Sequence, residues 1–83
     1  MKKKDKLLRK LLSGARDIRF SEIQSTVELF GFRLDRIKGS HHIYVHPDIP
    51  ELLNLQKVKG KAKPYQIKQF LALVEKYNLH VED

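Results

Sequence analysis

With 83 residues, no cysteine and a formal charge of +7, this chain is a single small domain without disulfides or thiolate chemistry. A domain of this size buries only about three fifths of its unfolded surface, which excludes a large enclosed active site. No apolar run approaches the roughly 20 residues that cross a bilayer, and no continuous apolar stretch follows the lysine-rich start. A soluble, cytoplasmic protein with no membrane partner is expected, and the excess of cations points to a polyanion, either nucleic acid or an acidic protein.

Residues 1–14 read as a separate basic helix, with Leu7, Leu8, Leu11 and Leu12 on one side and lysines and arginines on the other, stopped by Ser13-Gly14. Residues 15–83 form the main domain. Ser21 is the expected N-cap of its first helix, with Gln24 completing a capping box, Ile23, Val27 and Phe30 as the buried stripe, and Gly31 as the stop. From Phe32 the period changes to that of strands: Phe32 to Lys38, Ile43 to His46, and Leu53 to Val58. Gly39-Ser40 makes the first two a hairpin, and Gly60 ends the third. Pro64 opens a last helix with Ile67, Phe70, Leu71, Val74 and Tyr77 on its apolar face and Asn78 as a left-handed cap. The connections are too short for parallel crossovers. The expected fold is therefore α+β, a three-stranded antiparallel sheet with helices on one face and the other face or rim left for a partner.

Three of the four histidines, His41, His42 and His46, cluster around the second strand. In a strand, His42 and His46 stand about 13 Å apart, too far to share one ion, and no carboxylate or cysteine cluster supplies further ligands. No metal site is expected. Ser40 and His41 are sequence neighbours with no acidic residue placed to orient the imidazole, so no triad is legible. Asp48 and Glu51 flank a proline turn and are expected to face water. Metal-free RNA cleavage asks for less: a base for the 2′-hydroxyl, an acid for the leaving 5′-oxygen, and cations around the phosphate. A histidine beside lysines and a glycine turn supplies such groups. Lys57, Lys59, Lys61 and Lys63 alternate, so an extended chain points all four one way and holds successive phosphates; a solvated loop that blunts a sheet edge is the plainer alternative. Tyr44 shares a strand face with His42 and His46, a pattern suited to base stacking or to covering a half-buried sheet. Phe20, Phe30, Phe32 and Phe70 read as core.

Gly31-Phe32, then Lys38-Gly39-Ser40-His41-His42-Ile43-Tyr44, then His46-Pro47, and finally Lys63-Pro64 at the start of the last helix together resemble the HicA toxins of bacterial toxin–antitoxin pairs, over roughly residues 21–83. The resemblance implies a fold like the double-stranded RNA-binding domain and a ribosome-independent mRNA interferase, silenced by a HicB-like antitoxin. It implies no metal or organic cofactor. The first histidine of the family's pair is the catalytic one and falls on His41; Gly39 falls on the glycine of the same motif. Lys38, Gly39, Ser40, His42, Tyr44, Lys57, Lys59, Lys61 and Lys63 are the expected RNA-binding residues. Two departures stand out: Lys57-Val58-Lys59 where relatives commonly carry a proline and a histidine, and the additional basic helix before Ser13.

Strand alternation places His41 with Ile43 and Val45, nominally the core face, and His42 with Tyr44 and His46. On pattern alone His42 is the exposed acid–base group, whereas the family resemblance selects His41. Two other readings compete with the nuclease: a non-catalytic RNA-binding module of the same fold, and a protein-interaction domain whose basic surface meets an acidic partner.

Overall fold

The computed structural model describes residues 18–81, and Arg9 before them. The basic helix expected within residues 1–14 lies outside the described residues. The elements run in the order α1 (Phe20–Leu29), β1 (Arg33–Lys38), β2 (His41–Val45), β3 (Leu53–Val58), β4 (Lys61–Ala62) and α2 (Pro64–Lys76). The strands form one antiparallel sheet in the spatial order β1-β2-β3-β4. The α+β class and the helix-covered face agree with expectation, but among the described residues the sheet has four strands instead of three.

The fourth strand exists because Lys59 and Gly60 both take positive φ, 52° and 77°. Two left-handed residues in succession make the two-residue turn whose twist suits a hairpin. The chain therefore reverses after Val58, and Lys61 pairs back with it. A lysine in the left-handed region carries no sequence signature comparable to Asn-Gly, which is why Gly60 reads as a stop and not as half of a turn.

Helix α1 also starts earlier than its sequence suggests. Arg19, not Ser21, is the N-cap, and the Glu22 carboxylate accepts the Arg19 backbone N–H at 2.9 Å. The Phe20 N–H donates to the Gly60 carbonyl at 2.9 Å, and Arg19 forms a bridge with Lys61. The first turn is thus anchored to the β3–β4 hairpin, and the buried Phe20 ring is drawn into the core. The C-terminal caps follow the sequence closely. Gly31 at φ 94° and Asn78 at φ 51° each end a helix in a left-handed residue. In both, the next N–H returns to a carbonyl one turn back, Phe32 to Val27 at 3.1 Å and Leu79 to Val74 at 2.9 Å, the Schellman arrangement. Lys63 caps α2, with Pro64 at its first position.

Both helices pack on the same side of the sheet. Phe20, Ile23 and Val27 of α1 and Ile67, Phe70 and Leu73 of α2 meet Tyr44, Leu53 and Leu55 in one core cluster with Phe30 and Phe32. The register pairs Tyr44 with Leu53 and His42 with Leu55, so this inner face of β2 carries His42 and Tyr44. His41 and Ile43, paired with Gln56 and Asn54, stand on the outer face. The expectation from alternation is reversed: the set His41, Ile43, Val45 faces away from the helices. Strand β1 lies beyond both helices and is exposed along its whole length.

Candidate functional site

The outer face of the sheet gathers the polar chemistry. Lys38 and His41 are cross-strand partners on either side of the Gly39-Ser40 turn. Gly39 has φ 57° while Ser40 stays out of the positive region, the pattern of a turn that needs glycine at its first central position. A Cβ on Gly39 would meet nothing within 4 Å. Glycine is required there by backbone conformation, and the space around it is open. The Ser40 carbonyl accepts the Lys57 N–H at 2.9 Å, and the Gln56 side chain donates to the Ser40 hydroxyl at 3.3 Å. The turn is therefore held against β3.

The His41 ring is partly exposed, and its Nδ1 lies 3.1 Å from the Asn54 Oδ1. Among the described residues its Nε2 has no partner. His42, on the inner side, meets Phe20 with ring centroids 4.7 Å apart, and its Nδ1 lies 3.3 Å from the Ser40 carbonyl oxygen. His42 is half-buried against α1, so it is not the exposed acid–base group that alternation selects. His46 is 6 % exposed; its Nε2 bonds the Phe30 carbonyl at 2.9 Å, and its Nδ1 accepts the Asp48 N–H at 3.1 Å. Both its nitrogens are taken by backbone, which ties the C-terminal end of α1 to the loop after β2. The three clustered histidines thus occupy three different environments.

Tyr44 is 1 % exposed, and its hydroxyl accepts from the Gln24 side chain at 3.1 Å. Burial pushes its phenol pKa up. The ring is part of the core, so it is not available to stack on a base. Glu51 faces water as expected, and there it also accepts from the Tyr77 hydroxyl and from Lys76 Nζ at 3.1 Å. The Tyr77 hydrogen bond, more than the lysine, holds its carboxyl below the usual carboxylate range.

The lysines from 57 to 63 do not form one stripe. Lys57 pairs with the buried Ala62 and belongs to the inner side, whereas Lys61 pairs with Val58 and belongs to the outer side. Lys59 occupies the turn, and Lys63 caps α2 with its Nζ 6.0 Å from the Tyr65 ring centroid. The outer face draws its positive charge elsewhere. The register sets Arg33 opposite Val45, Arg36 opposite Ile43 and Lys38 opposite His41, all on that face. Arg36 also pairs with Asp35 at 2.6 Å. Arg33 and Arg36 are three residues apart and share a face because the register shifts by one between Leu34 and Arg36, a β-bulge. Uninterrupted alternation would have put them on opposite faces, so the sequence reading missed them. Asn54 and Gln56 were missed as well; their alternation with Leu53 and Leu55 is the signal that marks them as outer-face residues.

The outer face thus offers one imidazole with a nitrogen unpartnered among the described residues, two amide side chains that order its surroundings, and a row of cations along β1. That assembly suits a phosphodiester. Among the described residues, no three histidine or carboxylate side chains come together in a way that could hold a metal ion, and no helix is long and apolar enough to cross a membrane. Comparison with curated proteins and with solved structures found no match. The family model described as the HicA toxin of bacterial toxin–antitoxin matches residues 20–75, from the first turn of α1 almost to the end of α2. The match spans well over half the chain and takes in the whole hairpin with its histidine pair, and on it the protein belongs to the HicA toxin family of bacterial toxin–antitoxin systems.

Proposed function

We propose that this toxin is a ribosome-independent endoribonuclease that cuts mRNA, with His41 as the group that moves the proton and the outer face of a sheet resembling that of double-stranded RNA-binding domains as the seat for RNA. The observation that carries this reading is His41 itself: the one histidine of the cluster on the outer face, with Nε2 unpartnered among the described residues and Lys38 directly across the strand. As a base, Nε2 takes the proton of a 2′-hydroxyl; O2′ then bonds to phosphorus, the P–O5′ bond breaks, and O5′ takes a proton. As an imidazolium, the same nitrogen supplies that proton to O5′. Assistance of this kind is worth about 10²–10⁴-fold, enough for a slow toxin acting on an abundant substrate.

Lys38, Arg33 and Arg36 bind the phosphates that flank the scissile one, and the Gly39-Ser40 turn sits where the backbone of RNA passes closest to His41. Lys61 extends the cationic surface on the same face, with Lys59 in the adjoining turn and Lys63 after β4 as further phosphate contacts, while Lys57 contributes less because the register sets it on the inner side. A HicB-like antitoxin silences the toxin, and the reaction calls on no metal or organic cofactor. The test is incubation of purified protein with RNA in excess chelator. Wild type cuts and His41→Ala does not; intact RNA with wild type, or equal cleavage by the variant, overturns the proposal.

A further inference from the structure

We propose that Asn54 is a positioning residue that selects the tautomer of His41, placing the proton on Nδ1 and leaving the Nε2 lone pair for the substrate. The inference rests on the reading of His41 as the acid–base group and adds a residue to which that reading gave no role.

The geometry begins with register. Asn54 pairs with Ile43 and His41 with Gln56, so Asn54 and His41 are diagonal neighbours on the outer face, close enough for side chains to meet. Asn54 Oδ1 lies 3.1 Å from His41 Nδ1. An amide oxygen only accepts, so the proton of that hydrogen bond has to sit on Nδ1, and a neutral imidazole then carries its lone pair on Nε2. Gln56, the direct partner of His41, does not compete for the ring, because its side-chain nitrogen donates to the Ser40 hydroxyl. The two amides divide the work: Gln56 holds the turn, and Asn54 holds the ring.

A neutral amide differs from a carboxylate in this place. It fixes orientation and tautomer without setting a negative charge beside the ring. The same logic makes an asparagine sufficient as the third member of Cys-His-Asn catalytic sets. The opposite rotamer of the amide would present an N–H to Nδ1 and move the ring proton to Nε2. The two arrangements differ in one observable, the nitrogen that carries hydrogen.

The test is a long-range ¹⁵N–¹H correlation spectrum of the full-length protein labelled at histidine, recorded where imidazoles are neutral. Wild type shows His41 protonated on Nδ1, Asn54→Leu shifts the population toward Nε2–H, and Asn54→Asp, which keeps the acceptor, retains the wild-type pattern. In RNA cleavage, Asn54→Leu loses at least about tenfold in kcat with KM unchanged. Asn54→Asp stays active and moves the acid limb of its pH profile upward, because a carboxylate favours imidazolium. An Nε2–H tautomer in wild type, or an unchanged Nδ1–H pattern in Asn54→Leu, overturns the proposal. The wild-type spectrum decides between the arrangements even if Asn54→Leu fails to fold. A wild type that shows the Nδ1–H tautomer but leaves RNA intact overturns the nuclease reading and upholds the hydrogen bond assigned to Asn54.

Discussion

His41 opens β2 and His46 follows its end, and the two imidazoles are used in opposite ways. His46 is buried, with both ring nitrogens spent on backbone groups and its ring 5.1 Å from Phe32. His41 has one nitrogen on an exposed amide and the other unpartnered among the described residues. The difference teaches how one hairpin ties down one histidine for structure and leaves another with a nitrogen open to a substrate. A buried histidine must satisfy both nitrogens, because an unpaired polar atom away from water is costly, whereas a histidine that exchanges protons must keep one nitrogen open.

Exchanging the two losses is the strongest way to break that comparison. His41→Ala is expected to cost at least about 10²-fold in RNA cleavage while unfolding in urea within about 0.5 kcal/mol of wild type. His46→Ala should show the reverse, losing about 2–4 kcal/mol of stability, with cleavage per folded molecule preserved. Equal destabilisation by both would erase the distinction between them.

The cations sharpen it next. Arg33→Ala and Lys38→Ala should each lower the slope of log affinity against log salt by about 0.7–0.9, the contribution of one phosphate contact. Lys57→Ala, on the inner side of the sheet, should change that slope far less. RNA binding measured across a salt series checks this, and an equal effect from Lys57 would return the lysine stripe to favour.

Gly39→Ala probes the turn that carries His41. Its Cβ meets open space, so the cost is conformational, about 1–2 kcal/mol for an alanine held at φ 57°, read from thermal or urea unfolding. The smallest effect belongs to Glu51, which bonds only Tyr77 and Lys76 at the end of α2. Its carboxyl is held below its unfolded value, so its bonds to Tyr77 and Lys76 stabilise the fold above the usual carboxylate pKa, and that contribution fades as the pH falls through the folded value. Glu51→Gln should therefore lower Tm slightly at neutral pH and converge with wild type in acid, as seen in a pair of melts at the two pH values.

Much of the fold was legible because single residues carry it. Gly31 and Asn78 close their helices in the left-handed region, and Pro64 opens the last one; each has a conformational reason visible in its side chain. Lys59 has none, so the β3–β4 turn, the fourth strand and the reversal that breaks up the lysine stripe stayed hidden. The start of α1 was misplaced for a related reason: Ser21 is a good cap by type, but the hairpin's hydrogen bond to Phe20 anchors the helix earlier. At the candidate site, the resemblance to HicA selected His41 and the pattern selected His42. Alternation sorted β2 correctly into two sets, yet apolar residues stand in both, Ile43 and Val45 in one and Tyr44 in the other. Strand β3 is unambiguous, with Leu53 and Leu55 against Asn54 and Gln56, but its information reaches β2 only through the register that pairs His41 with Gln56. A loop of several residues separates the two strands, and sequence does not set how they align across it.

By itself, then, the sequence determined the kinds of elements, their order, their C-terminal caps and the family to which the histidine hairpin belongs, because propensity, capping and motif are local properties. The tertiary structure alone decided which side of β2 the helices cover, that a bulge brings Arg33 and Arg36 onto the face of His41, and that Asn54 reaches the ring. The reason is symmetry: a strand has period two, and its two faces are equivalent until the apolar stripes of α1 and α2 settle on one of them.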